Sequence, residues 1–215
     1  MSVPRQPAAP RPMLWFARDL PNLCSLAGLL SAVLGVYFTI RGVYPAAMIA
    51  LLWAVVLDWS DGRIARRMKG RTGDQRAFGG QLDSLIDIVS FSVAPALLLL
   101  SVGRFNPWFI PGAFVIVATG VIRLSYFNVF GLVDDSTYRG LALDNNVIIL
   151  ALLFVFRDAV SASVFVIVLY VALMALAALN VASIRTPKLG GRWYYVLTLY
   201  ALCLSAIYGW QLLSG

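Results

Sequence analysis

Residues 57–95 read LDWSDGRIARRMKGRTGDQRAFGGQLDSLIDIVSFSVAP, and this stretch is more informative than any other part of the chain. Two apolar segments meet here across a short basic loop, and each brings two aspartates to the junction. If both segments are helical, the i, i+3 spacing places Asp58 and Asp61 on one helix face, and the i, i+4 spacing does the same for Asp83 and Asp87. The pattern therefore predicts four carboxylates that converge at one end of a helix pair.

Four neighbouring carboxylates repel one another and are costly to desolvate, so a bound cation or protonation must offset that cost. The chain has no His and no Glu, and its two cysteines, Cys24 and Cys203, lie in different apolar segments. Nitrogen and sulfur ligands are therefore largely excluded. Oxygen ligands favour a hard divalent ion, Mg²⁺ with Mn²⁺ or Ca²⁺ as relatives. The predicted metal ligands are Asp58, Asp61, Asp83 and Asp87.

The composition of the chain is that of an integral membrane protein. Hydrophobic residues make up 60% and charged residues 13%, and the mean hydropathy is +0.83. Runs long enough to span a bilayer, about 20 residues each, lie at roughly 22–40, 43–62, 82–102, 108–130, 141–156, 160–183 and 193–213. The fifth run is the weakest, because it is short and polar near its start. We expect an all-α, polytopic membrane bundle of about six to seven transmembrane helices with an active-site cavity that faces the cytoplasm.

The N-terminal segment has no apolar region followed by a small-residue cleavage site, so no removable signal peptide is expected. Its four prolines lie within residues 1–12, and residues 13–20 are suited to a short amphipathic helix on the membrane surface. We expect a cytoplasmic segment over 1–20 and one transmembrane domain over 21–215. Two distant cysteines do not indicate a disulfide framework.

The distribution of basic residues predicts the orientation. With the N-terminus inside, the inner segments and inner span ends hold 14 of the 17 Arg and Lys residues, and the outer ones hold Arg41, Arg104 and Arg157. The positive-inside rule then places the aspartates at the cytoplasmic face of the inner membrane. The net charge of +7 belongs mainly to that surface, where anionic lipid headgroups and anionic soluble substrates meet. No motif supports nucleic-acid binding.

The four aspartates belong to a longer pattern of nine positions: Asp58-x-x-Asp61-Gly62-x-x-Ala65-Arg66, then Gly79-x-x-x-Asp83-x-x-x-Asp87. This pattern resembles the signature of the CDP-alcohol phosphatidyltransferase family of integral membrane enzymes. The segments 83–95 and 122–129 are similar to those of bacterial and archaeal phosphatidylserine synthases, and the resemblance covers roughly residues 20–140. Two departures stand out. The segment Arg67–Phe78 is about one helical turn longer than is usual, and residues 142–146 differ from the family's segment.

The resemblance implies a reaction in which an alcohol attacks the lipid-bearing phosphate of CDP-diacylglycerol and CMP leaves. It implies Mg²⁺ or Mn²⁺ at the aspartates, with one or two ions per site. Asp87 is the candidate catalytic base, because the chain offers no His or Glu for that role. The residues expected to bind the CDP-lipid are Asp61, Gly62, Ala65, Arg66 and Gly79.

The acceptor alcohol is less closely defined, and L-serine is favoured over choline, glycerol 3-phosphate and inositol phosphate. A phosphorylated acceptor needs a further basic cluster near the site, and Arg123 and Arg139 provide too few positive charges to favour one. Arg123 can hold the carboxylate of serine, with Asn128 about one and a half turns further on. It can equally pair with Asp134, Asp135 or a motif aspartate for structure alone.

Two further positions also have two interpretations. Arg66 lies one turn beyond Gly62, where it can reach a phosphate oxygen or anchor the helix at the inner surface. The run Asp144–Asn146 can line the cavity or begin a frayed helix, and the second interpretation is slightly favoured.

A cation transporter or channel is the alternative from another functional class, because intramembrane aspartates can mark an ion path. A transporter is expected to distribute carboxylates through the membrane depth or to repeat its halves. Here four of the ten aspartates lie together near one face and no repeat is visible, so the enzyme is favoured. Gly28 and Gly35 are expected to allow close helix packing, and small-residue faces of this kind favour a homodimer.

Overall fold

The computed structural model of the protein describes residues 11–134, 137–187 and 189–214. Residues 1–10 of the predicted N-terminal segment lie outside the described part. The helices are α1 (Met13–Ala17), α2 (Leu20–Ile40), α3 (Tyr44–Arg67), α4 (Gly73–Ile88), α5 (Ala94–Val102), α6 (Ile110–Phe130), α7 (Asp144–Val155), α8 (Ala162–Val181) and α9 (Trp193–Ser214). The strands β1 (Thr137–Arg139) and β2 (Arg185–Pro187) pair antiparallel.

Six helical stretches in the described ranges are long and apolar enough to cross a membrane. These are α2, α3, α6, α8, α9 and the 30-residue stretch Gly73–Val102, in which the π-helix Val89–Val93 joins α4 to α5. The predicted polytopic helical bundle is therefore confirmed. Helix α1 lies within the segment predicted to form a surface helix, while the domain division at residue 20 stays a prediction.

The fifth predicted span, 141–156, contains a helix, α7, that is shorter than the six stretches above. Helix α7 has 12 residues and is therefore about 18 Å long, less than the roughly 30 Å hydrocarbon core of a bilayer. Its ends nevertheless contact opposite ends of α3. Asp144 at its start accepts a hydrogen bond from Trp59, and Arg157 just after it lies 4.6 Å above the ring of Tyr44. Thus α7 runs alongside α3 in the bundle, while six helical stretches of the described residues meet the length expected of a membrane span.

Helix α3 lies at the centre of the bundle and packs against α2, α7 and α9. Its buried apolar residues include Ala47, Met48, Leu51, Leu52 and Val55. A Cβ atom at Gly35 of α2 would lie 2.7 Å from the Leu51 side chain, and one at Gly28 would lie 3.5 Å from that of Leu57. The predicted role of both glycines in close helix packing is confirmed. Their partner is α3 of the same chain.

The π-helix Val89–Val93 lies directly after the second aspartate pair. Pro95 has no amide hydrogen, so the carbonyl of Phe91, four residues earlier, loses its α-helical donor. Asn146 of α7 donates to that carbonyl through its side-chain amide at 3.2 Å. This bond fixes the start of α7 against the helix that carries Asp83 and Asp87.

In the segment Arg67–Phe78, Arg67 ends α3, residues 68–72 form a loop, and the remaining residues form the first turns of α4. Thr72 and Gln75 form a reciprocal capping box at the helix start, and Asp74 lies in the first turn. Arg71 of the loop pairs with Asp19 at 2.7 Å, and both side chains are almost fully buried. The longer segment therefore extends α4 rather than forming a long loop.

The β1–β2 ribbon covers the end of the bundle at which α3 ends and α4 begins, which we call the aspartate end. Gly140 follows β1 with a φ of +75°, a conformation that L-residues rarely adopt. A Cβ atom there would lie 2.2 Å from the backbone carbonyl oxygen of Asn180. Gly140 therefore permits both the turn and its close approach to the end of α8.

We expect Gly140→Ala to destabilise the protein more than Gly42→Ala. Both glycines have a similar positive φ, +75° and +73°, which costs a side chain about 1–2 kcal/mol. Only Gly140 also faces a backbone carbonyl, whereas a Cβ atom at Gly42 would meet nothing within 4 Å. Thermal unfolding of the purified variants in detergent measures the difference, and equal losses in Tm would contradict the predicted clash.

Candidate active site

A cavity of about 420 Å³ opens at the aspartate end of the bundle. Its walls come from α3, α4 and α6, from the segment that leads into α7, and from the loop before α9. All four motif aspartates line it, together with Arg123. As predicted, the four aspartates lie together at one cavity.

Three of the four carboxylates form a close group. One oxygen atom each from Asp58, Asp83 and Asp87 lies within 4.8 Å of the others, and all three residues are half-buried. The helical spacing places Asp83 and Asp87 one turn apart on α4, facing Asp58 on α3. The ion pairs among the described residues are Arg71–Asp19 and Arg157–Asp158, so no basic side chain neutralises this group directly.

Asp61 lines the same cavity but has a different environment. It is 7% exposed and accepts a hydrogen bond from the hydroxyl of Ser25 on α2. Asp61 is therefore held toward α2, beside the close group. No periodic pattern in the sequence predicts this contact, because Ser25 and Asp61 are 36 residues apart.

Arg123 projects from α6 into the cavity and is 8% exposed. Its Nε atom has no hydrogen-bond partner, and none of the ion pairs among the described residues involves it. Its guanidinium lies 5.8 Å from the ring of Phe127 and 5.5 Å from that of Tyr138. The alternative of a structural ion pair with Asp134 or a motif aspartate is therefore not supported, and Asp135 lies outside the described residues.

Asp144, the first residue of α7, lines the cavity, whereas Asn145 and Asn146 are not among the lining residues. Its Oδ2 atom accepts a hydrogen bond of 2.6 Å from Nε1 of Trp59, which lies between Asp58 and Asp61 on α3. Its Oδ1 atom accepts from the backbone and side-chain amides of Asn145, at 3.0 and 3.2 Å. The carboxylate is thus held from two sides.

Tyr138 of β1 is a cavity residue that the sequence pattern did not single out. Burial raises the pKa of Tyr138, and the negative charge of Asp144 raises it further. The phenol therefore keeps its proton at neutral pH.

Gly62 and Arg66 also line the cavity. A Cβ atom at Gly62 would lie 3.3 Å from Nη1 of Arg66, so the exposed arginine side chain lies back across the glycine. This arrangement places a planar cation beside the aspartates, at a position where a phosphate can reach both the cation and the helix backbone.

Three of the predicted binding residues do not line the cavity. Ala65 is half-buried on α3, and Gly79 packs α4 against α2, where a Cβ atom would lie 2.9 Å from Oδ1 of Asn22. Asn128 is exposed, and its side-chain oxygen accepts a hydrogen bond from Ser84, which does line the cavity. Ligand contacts by these three residues stay predictions.

Comparison with known proteins agrees with this geometry. A family model described as CDP-alcohol phosphatidyltransferase matches residues 18–214. The chain is 34% identical over 175 residues to archaetidylserine synthase of Methanothermobacter thermautotrophicus, covering 80% of this chain and 71% of that protein. It is 28% identical over 154 residues to CDP-diacylglycerol–serine O-phosphatidyltransferase of Methanocaldococcus jannaschii, covering 72% and 70% of the two chains.

A bacterial relative matches a smaller part of its own length. The chain is 33% identical over 122 residues to CDP-diacylglycerol–serine O-phosphatidyltransferase of Mycobacterium tuberculosis, covering 55% of this chain and 40% of that protein. The family match extends over all six membrane-spanning stretches and includes every motif aspartate. With its nine-position motif and its clustered carboxylates, the chain belongs to the CDP-alcohol phosphatidyltransferase family.

Proposed function

We propose that the protein transfers the phosphatidyl group of a CDP-linked lipid to L-serine and releases CMP, with a divalent cation held by the motif aspartates. The observation that carries this proposal is the group of three carboxylates within 4.8 Å of one another, in a cavity that also contains the unpaired Arg123. The names of the archaeal and mycobacterial relatives support serine as the acceptor.

The cluster suits a hard divalent cation, Mg²⁺ or Mn²⁺. Its donors are carboxylate oxygens alone, and Oδ1 of Asp87 is buried without a hydrogen-bond partner. Asp58, Asp83 and Asp87 would hold the ion, and Asp61 is placed to complete its ligands or to hold a second ion. When bound, the ion supplies positive charge that neutralises the phosphates of the CDP-linked lipid.

The reaction needs a nucleophile, a base and a leaving group. The serine hydroxyl oxygen forms a new bond to the lipid-bearing phosphorus, and the phosphoanhydride bond from that phosphorus to CMP breaks, so CMP leaves with the bonding electron pair. Asp87 takes the proton of the hydroxyl. A carboxylate is weakly basic at neutral pH, so proton removal accompanies the attack on phosphorus.

The remaining cavity residues orient the two substrates. Arg66 steadies a phosphate across Gly62, where the missing side chain lets the nucleotide approach the helix backbone. Arg123 holds the carboxylate of serine, because a buried guanidinium with a free Nε offers fixed donors to a carboxylate. The lipid tails enter sideways from the bilayer between the helices.

The aspartate end is proposed to face the cytoplasm, because most of the basic residues lie there and the positive-inside rule then applies. The homodimer stays a prediction. Gly28 and Gly35 pack against α3 within the chain, so a second copy would have to dock on other faces.

We expect divalent cations to raise the Tm of the wild-type protein but not that of Asp58→Asn. Binding to the folded state alone adds about 2.7 kcal/mol of stability at a cation concentration 100 times the Kd. Asp158→Asn is the matched control, because Asp158 is exposed at the opposite end of the bundle. Thermal unfolding with EDTA, Mg²⁺ or Mn²⁺ measures the effect, and equal stabilisation of Asp58→Asn would count against the metal site.

We expect Asp87→Asn to lower kcat by at least about 100-fold, because a positioned general base contributes about 10²- to 10⁴-fold. CDP-lipid binding should stay largely intact, whereas Asp58→Asn and Asp61→Asn should lose metal-dependent binding as well. The assay uses purified protein in detergent with CDP-diacylglycerol, Mn²⁺ or Mg²⁺ and labelled serine, and reads CMP and lipid product. Full turnover by Asp87→Asn would remove its role as base.

The same assay with choline, glycerol 3-phosphate and inositol phosphate tests the acceptor. CMP release with serine alone supports the proposed function. Release with another alcohol in place of serine contradicts the acceptor, and release with none contradicts the proposed reaction.

Single cysteines test the orientation. We expect Asp158→Cys to react with a membrane-impermeant maleimide in intact cells, and Asp74→Cys to react only after the cells are permeabilised. Both positions are exposed, at opposite ends of the bundle. The background replaces Cys24 and Cys203 by serine. Labelling of Asp74→Cys in intact cells would place the aspartate end on the outer side.

A further inference from the structure

Asp144 is a charged cavity residue that neither the metal cluster nor the phosphoryl transfer explains. It lies at the start of α7 and outside the group formed by Asp58, Asp83 and Asp87. An acidic residue in the first turn of a helix is favourable for the helix alone. That preference does not account for the hydrogen bond from Trp59 of α3, which holds the carboxylate at the cavity wall.

Arg123 is a buried basic residue in the same cavity as Asp144. The two side chains interact electrostatically, and Arg123 also interacts with Asp87. Yet among the described residues Arg123 forms no ion pair within 4 Å, and its Nε atom is buried without a partner there. Buried opposite charges that do not touch are costly unless a ligand completes their contacts. Both residues line the same cavity, so together they suit a ligand with both a negative and a positive group.

We propose that Asp144 binds the ammonium group of the acceptor while Arg123 binds its carboxylate, so that the cavity selects a zwitterionic hydroxy amino acid. This inference rests on the proposed function and assigns the specificity of its acceptor site to this pair. Asp87, the proposed base, lines the same cavity as this pair.

The pair discriminates against three kinds of alcohol. An amino alcohol without a carboxylate leaves Arg123 unpaired, and a hydroxy acid without an ammonium leaves Asp144 unpaired. A site built to bind a polar group rejects an analogue that lacks it, because the buried partner is then left unsatisfied. A phosphorylated acceptor brings further negative charge beside Asp144 and is repelled.

The experiment compares L-serine with ethanolamine, which lacks the carboxylate, and with 3-hydroxypropanoate, which lacks the ammonium. Wild-type protein, Asp144→Asn, Arg123→Gln and the control Asp158→Asn are assayed in detergent with saturating CDP-diacylglycerol and Mn²⁺. The asparagine keeps the shape of Asp144 and can still accept the hydrogen bond from Trp59, so the substitution removes mainly the charge. Asp144→Glu, which keeps the charge, serves as a second variant.

Asp144→Asn is expected to raise the KM for serine at least tenfold and to leave the KM for CDP-diacylglycerol within about twofold. Its preference for serine over 3-hydroxypropanoate should fall at least tenfold, while its preference over ethanolamine is retained. Arg123→Gln should lose its preference for serine over ethanolamine and keep its preference for serine over 3-hydroxypropanoate. Asp144→Glu should keep more of the preference over 3-hydroxypropanoate than Asp144→Asn does.

Three results would overturn the inference. The first is an unchanged serine KM and unchanged preferences in Asp144→Asn. The second is an equal loss with all three acceptors accompanied by a lower Tm, which indicates a structural role. The third is a preference for serine over 3-hydroxypropanoate that is the same in Asp144→Asn and Asp144→Glu. If wild-type protein releases no CMP with serine, the proposed function itself fails, and this outcome is distinct because it needs no variant.

Discussion

The crowding of Asp58, Asp83 and Asp87 is the constraint on which the rest of the structure depends. Their oxygens lie within 4.8 Å of one another, and at an effective dielectric constant of about 20 each ionised pair is destabilised by about 3 kcal/mol. Three such pairs amount to roughly 10 kcal/mol, which is comparable to the whole stability of a typical domain, about 5–15 kcal/mol. The fold must therefore hold these carboxylates together against their repulsion, and a divalent cation is the natural way to relieve it.

Several packing features resist that repulsion from outside the cluster. Helix α3 is fixed along its length by buried apolar contacts, and Gly28 and Gly35 let α2 approach it closely. The second carboxylate helix is held by the capping box at Thr72 and by the bond from Asn146 to the carbonyl of Phe91. Both carboxylate-bearing helices are thus held by contacts away from the cavity, which leaves the carboxylate oxygens free for a ligand.

The sequence predicted the helices and the aspartate geometry well because both follow from periodicity. The i, i+3 and i, i+4 spacings of the motif fix which side chains share a helix face, and the structure brings all four aspartates to one cavity. Contacts between distant segments carry no such periodic signal. The bond from Ser25 to Asp61 and that from Trp59 to Asp144, 85 residues apart, depend on the packing of whole helices. For the same reason Gly79, part of the motif, turns out to pack against Asn22 outside the cavity lining.

The short helix α7 connects the architecture of the bundle with the chemistry of the cavity. A longer helix in its place would continue past Asp144, which forms part of the cavity wall. Because α7 begins at Asp144, its first residue instead forms part of the cavity wall, and the preceding segment 140–143 is held by hydrogen bonds to the end of α8. A polar chamber at one end of an apolar bundle requires that at least one helix stop short, and here that helix carries Asp144, which lines the same cavity as Arg123. The fifth apolar run is short and polar at its start because its helix begins at the cavity. A helix that begins with Asp144, Asn145 and Asn146 cannot start in lipid.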